Sequence, residues 1–105
     1  QRNPNVTVRF RGTMEKCTYC VQRIREASSI GKEQGRGVLA DGEVTTACEQ
    51  TCPTGCITFG NINLPDSRVA KAKDTELNYG VLSELDIHPR TTYGAKLRNP
   101  NPELV

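Results

Sequence analysis

The amino-acid sequence predicts a small α+β fold whose short strands and helices are tied together at cysteine loops. Three observations predict it. Five cysteines in 105 residues form two clusters, Cys17-Thr18-Tyr19-Cys20 and then Cys48, Cys52-Pro53 and Cys56. Hydrophobic residues make up only 35% of the chain; one domain at most of this size has little with which to build a core. The hydrophobic period also changes along the chain, from the alternation of a strand to the spacing of a helix.

The elements follow in order. Gln1 to Asn5 is polar and carries Pro4, an arriving arm. Val6, Val8 and Phe10 alternate with Thr7, Arg9 and Arg11, which predicts a strand with one buried face, ended by Gly12. From Val21 to Glu33, Val21, Ile24 and Ala27 recur three apart between polar residues, a helix packed by one narrow stripe. It starts at Cys20, where outward N–H groups favour a negatively charged centre. Gly31, Gly35, Gly37 and Gly42 mark a loop excursion, whose length costs little because closure entropy grows logarithmically. Thr45 or Thr46 is placed to cap a short helix through Glu49 and Gln50, with Cys48 and Cys52 at i and i+4 on one face and Pro53 as its stop. Ile57 and Phe59 flank Thr58 in a second short strand before Gly60.

Beyond Gly60 the character changes. Leu64-Pro65-Asp66-Ser67 reads as a helix start leading into Arg68–Lys73, and Leu77, Val81, Leu82 and Leu85 predict a second short helical stretch. From His88 to Val105 there are three prolines and few apolar anchors, chiefly Tyr93, Leu97 and Leu104. Such a tail has too little to bury on its own account and is expected to lie extended across a partner.

Paired thiolates with two residues between them can both reach one metal centre, because the chain turns back on itself there. An odd cysteine count, a C-x-x-C pair and a Cys-Pro step fit metal ligation better than disulfides. The second cluster is similar to the end of the bacterial ferredoxin run, in which the cysteine before proline ligates the neighbouring cluster. Read that way, Cys17, Cys20 and Cys48 are local ligands of one iron-sulfur cluster and Cys52 turns toward another. Neither ligand set is then complete, so the missing thiolates come from another segment or chain. Residues 1–62 read as half of a two-cluster ferredoxin-like module, and 63–105 as short helices and a tail packing on partner subunits. The alternative is a structural zinc-binding interaction module, with one ion held by Cys17, Cys20, Cys48 and Cys52. A cysteine enzyme would need a partnered histidine, and His88, the sole one, precedes Pro89 in an irregular stretch.

Charge excludes some classes. Fourteen basic and twelve acidic residues are interspersed, giving a net charge of +2, so no basic stripe offers itself to nucleic acid, and aromatics are too few for base stacking. No run of about 18 apolar residues predicts a membrane span, and no stretch reads as a signal peptide. Membrane association is expected only through a partner.

The stretches Arg11–Ile24 and Ala47–Gly55 resemble the last cysteine motif of the four-cluster ferredoxin-type subunits in the molybdopterin oxidoreductase family. Phe59-Gly60, Ser67-Arg68-Val69, Asn78-Tyr79-Gly80, Pro89–Tyr93 and Arg98–Pro102 further resemble the iron-sulfur B subunit of alternative complex III, a quinol oxidoreductase. The resemblance covers nearly the whole chain and implies an electron-transfer subunit with no substrate-converting site of its own. It implies [4Fe-4S] clusters, with a [3Fe-4S] cluster open at one site, bound through Cys17, Cys20, Cys48 and Cys52. It also implies three partners: the remainder of the iron-sulfur subunit, a quinol-binding membrane subunit and a multihaem cytochrome c subunit. The periplasmic face of the inner membrane is the implied location. Cys56 departs from the family pattern, which has a small residue such as alanine there; it is expected to pack as a small apolar thiol. Lys16, Thr18 and Tyr19, nearest the first pair, are the candidates for tuning a cluster's potential.

Overall fold

A computed structural model of the chain describes residues 3, 6–99 and 103. The arm residues Gln1, Arg2, Pro4 and Asn5, and Pro100, Asn101, Pro102, Leu104 and Val105 of the tail, lie outside the described residues. The chain folds as two compact units, Gln1–Gly60 and Asn61–Val105.

In the first unit the apolar stripe forms helix α1, Val21–Glu33, with Val21, Ile24 and Ala27 half-buried along one side. The stripe runs on to Gly31, which is buried inside the helix and does not open the following loop. A Cβ at Gly31 would lie 3.4 Å from the Leu39 side chain, which folds back over this point. The loop after α1 is held by Arg36, whose guanidinium pairs with Glu43 at 2.6 Å and with Gln34 at 2.7 Å. Glu43 also accepts the Ala40 N–H at 2.9 Å. Helix α2, Ala47–Thr51, is capped by Thr46, whose hydroxyl accepts the Glu49 N–H, as its sequence directs.

Two expected strands are absent. Val6–Phe10 and Ile57–Phe59 form no strand among the described residues, and Val8 and Phe10 are 79% and 92% exposed. Alternation supplies one apolar face but no partner edge, and an unpaired strand gains neither ladder nor burial.

In the second unit, helix α3, Arg68–Lys73, begins at Ser67. The Ser67 hydroxyl accepts the Ala70 N–H at 3.2 Å and lies 2.9 Å from the Asn61 carbonyl and 2.7 Å from that of Leu64. It is 2% exposed, and Val69, at 9%, is the buried apolar residue beside it. The stretch expected to be a second helix starts instead as strand β1, Asn78–Tyr79, followed by a single 3-10 turn at Ser83–Leu85. Strand β1 pairs antiparallel with β2, Tyr93–Gly94, in the register Asn78 to Gly94 and Tyr79 to Tyr93. The two tyrosine rings lie 5.8 Å apart, and cross-strand aromatic pairs of this kind favour the ladder over a helical turn. The expected extended tail is therefore folded back at residues 90–95. Lys73 on α3 donates to the Arg90 carbonyl and the Thr92 hydroxyl, both at 2.9 Å. No helix among the described residues is long and apolar enough to cross a membrane.

Candidate metal centre

Cys17 and Cys20 lie on the loop that enters α1, the first exposed and the second half-buried. Tyr19 and Cys20 both have left-handed backbone, with φ 56°, a conformation that costs a non-glycine residue roughly 1–2 kcal/mol. Two such residues in succession turn the loop so that the Tyr19 N–H donates to the Cys17 sulfur at 3.4 Å. The Tyr19 ring stacks on Phe59 with centroids 6.1 Å apart, which fixes the loop against the stretch following Cys56.

The second cluster meets the first through its backbone. The Ala47 N–H, at the start of α2, donates to the Cys20 sulfur at 3.3 Å. Arg23, in the first turn of α1, holds this junction: its guanidinium donates to the Thr45 carbonyl at 2.7 Å and to the Gln50 side chain at 2.9 Å. Hydrogen bonds to the ligating sulfurs are among the factors that set the potential of a cluster bound there. Cys48 is exposed on α2, its sulfur 3.2 Å from the Thr46 hydroxyl. That hydroxyl therefore both caps the helix and meets a cysteine.

Cys52 does not share the helix face with Cys48 as expected. It is the C-cap of α2, with φ −76° and ψ 109°, because a residue before proline is driven to extended backbone. Its sulfur turns to a separate pocket of polar neighbours, 3.3 Å from the Thr54 hydroxyl and 3.4 Å from the Cys56 sulfur. The Thr54 hydroxyl first, then the N–H and thiol of Cys56, hold the Cys52 thiol down at a pKa of about 6. Cys56, expected to be packed away, is exposed and touches Cys52. His88 is exposed beside the Asp86 carboxylate at 2.9 Å.

All five thiols are free. Among the described residues no three His, Cys, Asp or Glu side chains converge on one point fit for a single ion, so Cys17, Cys20, Cys48 and Cys52 do not form a closed tetrahedral cage. In a multi-iron cluster each thiolate binds its own iron, and the sulfurs stand further apart. Soft donors carrying amide N–H bonds, open on one side, suit that group. The residues that spacing alone did not single out are Arg23 and Thr54; Thr46 is a cap candidate in the sequence, but its contact with the Cys48 sulfur is not legible there. In the sequence Arg23 is one of the polar residues between the stripe positions of α1, and the helix spacing gives no sign of its reach to Thr45 and Gln50.

No family model matches the chain. It is 37% identical over 92 residues to the iron-sulfur cluster-binding subunit of a menaquinone reductase from Nitratidesulfovibrio vulgaris, covering 86% of this chain and 36% of that protein. It is 36% identical over 98 residues to iron-sulfur subunit 1 of an Hdr-like menaquinol oxidoreductase from Archaeoglobus fulgidus, covering 90% of this chain and 32% of that protein. The iron-sulfur subunit of the nitrate-inducible formate dehydrogenase of Escherichia coli is 40% identical over 62 residues, 55% of this chain and 16% of its own. The chain spans about a third of the length of the two menaquinone-linked relatives. Over most of its length, then, the chain is similar to about a third of the iron-sulfur subunits of two menaquinone-linked oxidoreductases.

Proposed function

We propose that this chain is an electron-transfer component of a membrane-associated respiratory quinol oxidoreductase, with iron-sulfur clusters as its cofactor. The observation that carries this reading is the thiol pattern Cys17-x-x-Cys20, Cys48, Cys52-Pro53, with backbone N–H groups already donating to the sulfurs of Cys17 and Cys20. Two relatives with menaquinone or menaquinol in their names support the quinol side.

Cys17, Cys20 and Cys48 hold one cluster and Cys52 contributes to a second, each set completed by thiolates from outside this chain. When bound, such clusters accept and pass on single electrons without bond chemistry. The chain's own residues position and tune. The left-handed turn at Tyr19 and Cys20 sets the Tyr19 N–H on the Cys17 sulfur, Arg23 fixes α2 against that turn, and Pro53 sends Cys52 away from Cys48. At the finer level the clusters are [4Fe-4S], with a [3Fe-4S] cluster as the variant at one site. The complex is of the alternative complex III type, at the periplasmic face, and electrons pass from quinol toward cytochrome c haems. The tail signature in residues 59–102 supports that assignment.

The test is a count of iron and acid-labile sulfide on the chain alone and on the intact assembly, with low-temperature spin resonance of the reduced assembly. Little stable cluster on the chain and several in the assembly are expected. A single zinc per chain and no sulfide would overturn the proposal.

A further inference from the structure

Beyond cluster binding, we propose that Cys52 and Cys56 form a two-thiol exchange site that closes to an intrachain disulfide on meeting a small-molecule disulfide, whenever Cys52 is free of metal. The two sulfurs are 3.4 Å apart, against a bond of about 2.05 Å, so closure asks them to approach by roughly 1.3 Å. The backbone already makes the return. Pro53 and Thr54 carry the chain away from Cys52, the Gly55 N–H donates back to the Cys52 carbonyl at 3.3 Å, and Gly55 adopts φ +60° with open space around it. That left-handed residue, which glycine occupies without penalty, brings Cys56 over Cys52.

Cys17 and Cys20 accept amide N–H groups and Cys48 faces the Thr46 hydroxyl. Cys52 likewise meets the Thr54 hydroxyl, and in addition its sulfur lies against a second thiol, that of Cys56. Cys56 is exposed and Cys52 half-buried, so a reagent reaches the pair from solvent.

The exchange balances in two steps. One protein thiolate attacks a sulfur of the reagent, forming a mixed disulfide and releasing one reagent thiolate. The second protein thiolate then attacks the protein sulfur of that mixed disulfide and releases the other. Two protein thiols lose two electrons and two protons; the reagent disulfide becomes two thiols. The exchange requires Cys52 to be released from any cluster, and the pair remains a dithiol site if the chain holds none.

The test uses the full chain, stripped of metal with a chelator under argon and incubated with oxidised glutathione. Alkylation with iodoacetamide and fragmentation mass spectrometry then locate each thiol. The expected result is joint loss of alkylation at Cys52 and Cys56 with a bond between them, while Cys48 stays alkylated. Replacing either member, Cys52→Ser or Cys56→Ser, is expected to arrest the reaction as a glutathione adduct on the remaining one. Closure of Cys17 with Cys20 ahead of this pair, a bond from Cys48 to either member, or undiminished alkylation of both would overturn the proposal. So would the absence of an adduct on the remaining cysteine of either variant.

Discussion

Lys16 precedes Cys17 and is exposed, so its charge would act on a cluster held at Cys17 through water rather than through contact. Lys16→Glu changes the local charge by two units; at about a nanometre in a water-like medium this is worth about 1 kcal/mol. A redox titration of the assembly is expected to show the midpoint lowered by roughly a few tens of millivolts, and an unchanged or raised midpoint would count against a cluster at Cys17. Arg23 acts by position. Its two hydrogen bonds, to Thr45 and Gln50, keep α2 where Ala47 meets the Cys20 sulfur. Arg23→Ala is expected to cost about 1–2 kcal/mol and to lower the iron and sulfide retained by the assembly, while α1 keeps its circular dichroism. Iron content equal to that of the parent would show the junction to be irrelevant to metal retention.

At the scale of elements, caps decide more than stripes. Ser67 is nearly the most enclosed side chain of α3's surroundings, satisfying the Ala70 N–H while its own proton meets a carbonyl. Ser67→Ala is expected to destabilise the second unit by about 1–2 kcal/mol, read from urea denaturation; a loss under a few tenths would mean that water replaces the cap. The loop after α1 depends on pH through Glu43. The guanidinium of Arg36, then the Ala40 N–H, holds its carboxyl below the usual carboxylate range. A carboxyl with a depressed folded pKa contributes stability above its unfolded pKa and loses it as pH falls through the folded value. The protection of the Ala40 amide against hydrogen exchange is therefore expected to be steady near neutrality and to collapse in acid below the ordinary carboxylate range. Protection that persists there after correction for the intrinsic rate, or its survival in Glu43→Gln, would remove Glu43 from the account. Water reaches both groups, Arg36 being exposed and Glu43 half-buried, and salt is expected to weaken the effect.

For the molecule as a whole, the decisive fact is how little is enclosed: Val69 is the buried apolar side chain among the described residues, while Val6, Val8, Phe10, Met14 and Leu97 stand in water. Unfolding of the chain alone is expected to be broad in urea, with an m-value below about 1–3 kcal/mol/M, because m follows the surface newly exposed. A sharp transition of ordinary slope would show a core that the burial pattern does not contain. The sequence by itself determined helix α1 to its end residues, a threonine cap on α2, the start of α3 after Leu64-Pro65-Asp66-Ser67, and the stop at Pro53. These are local: a three-residue stripe, a hydroxyl within reach of its own helix, a proline ring that bars the next turn. It did not determine the strands, since Val6–Phe10 has the right alternation and no edge to pair with, while Asn78–Tyr79 found one fifteen residues on. Nor did spacing reveal the Arg23 junction or the contact of Cys52 with Cys56. Pairing, clamping and sulfur contact each depend on where a second segment arrives in space, and only the tertiary structure decides that.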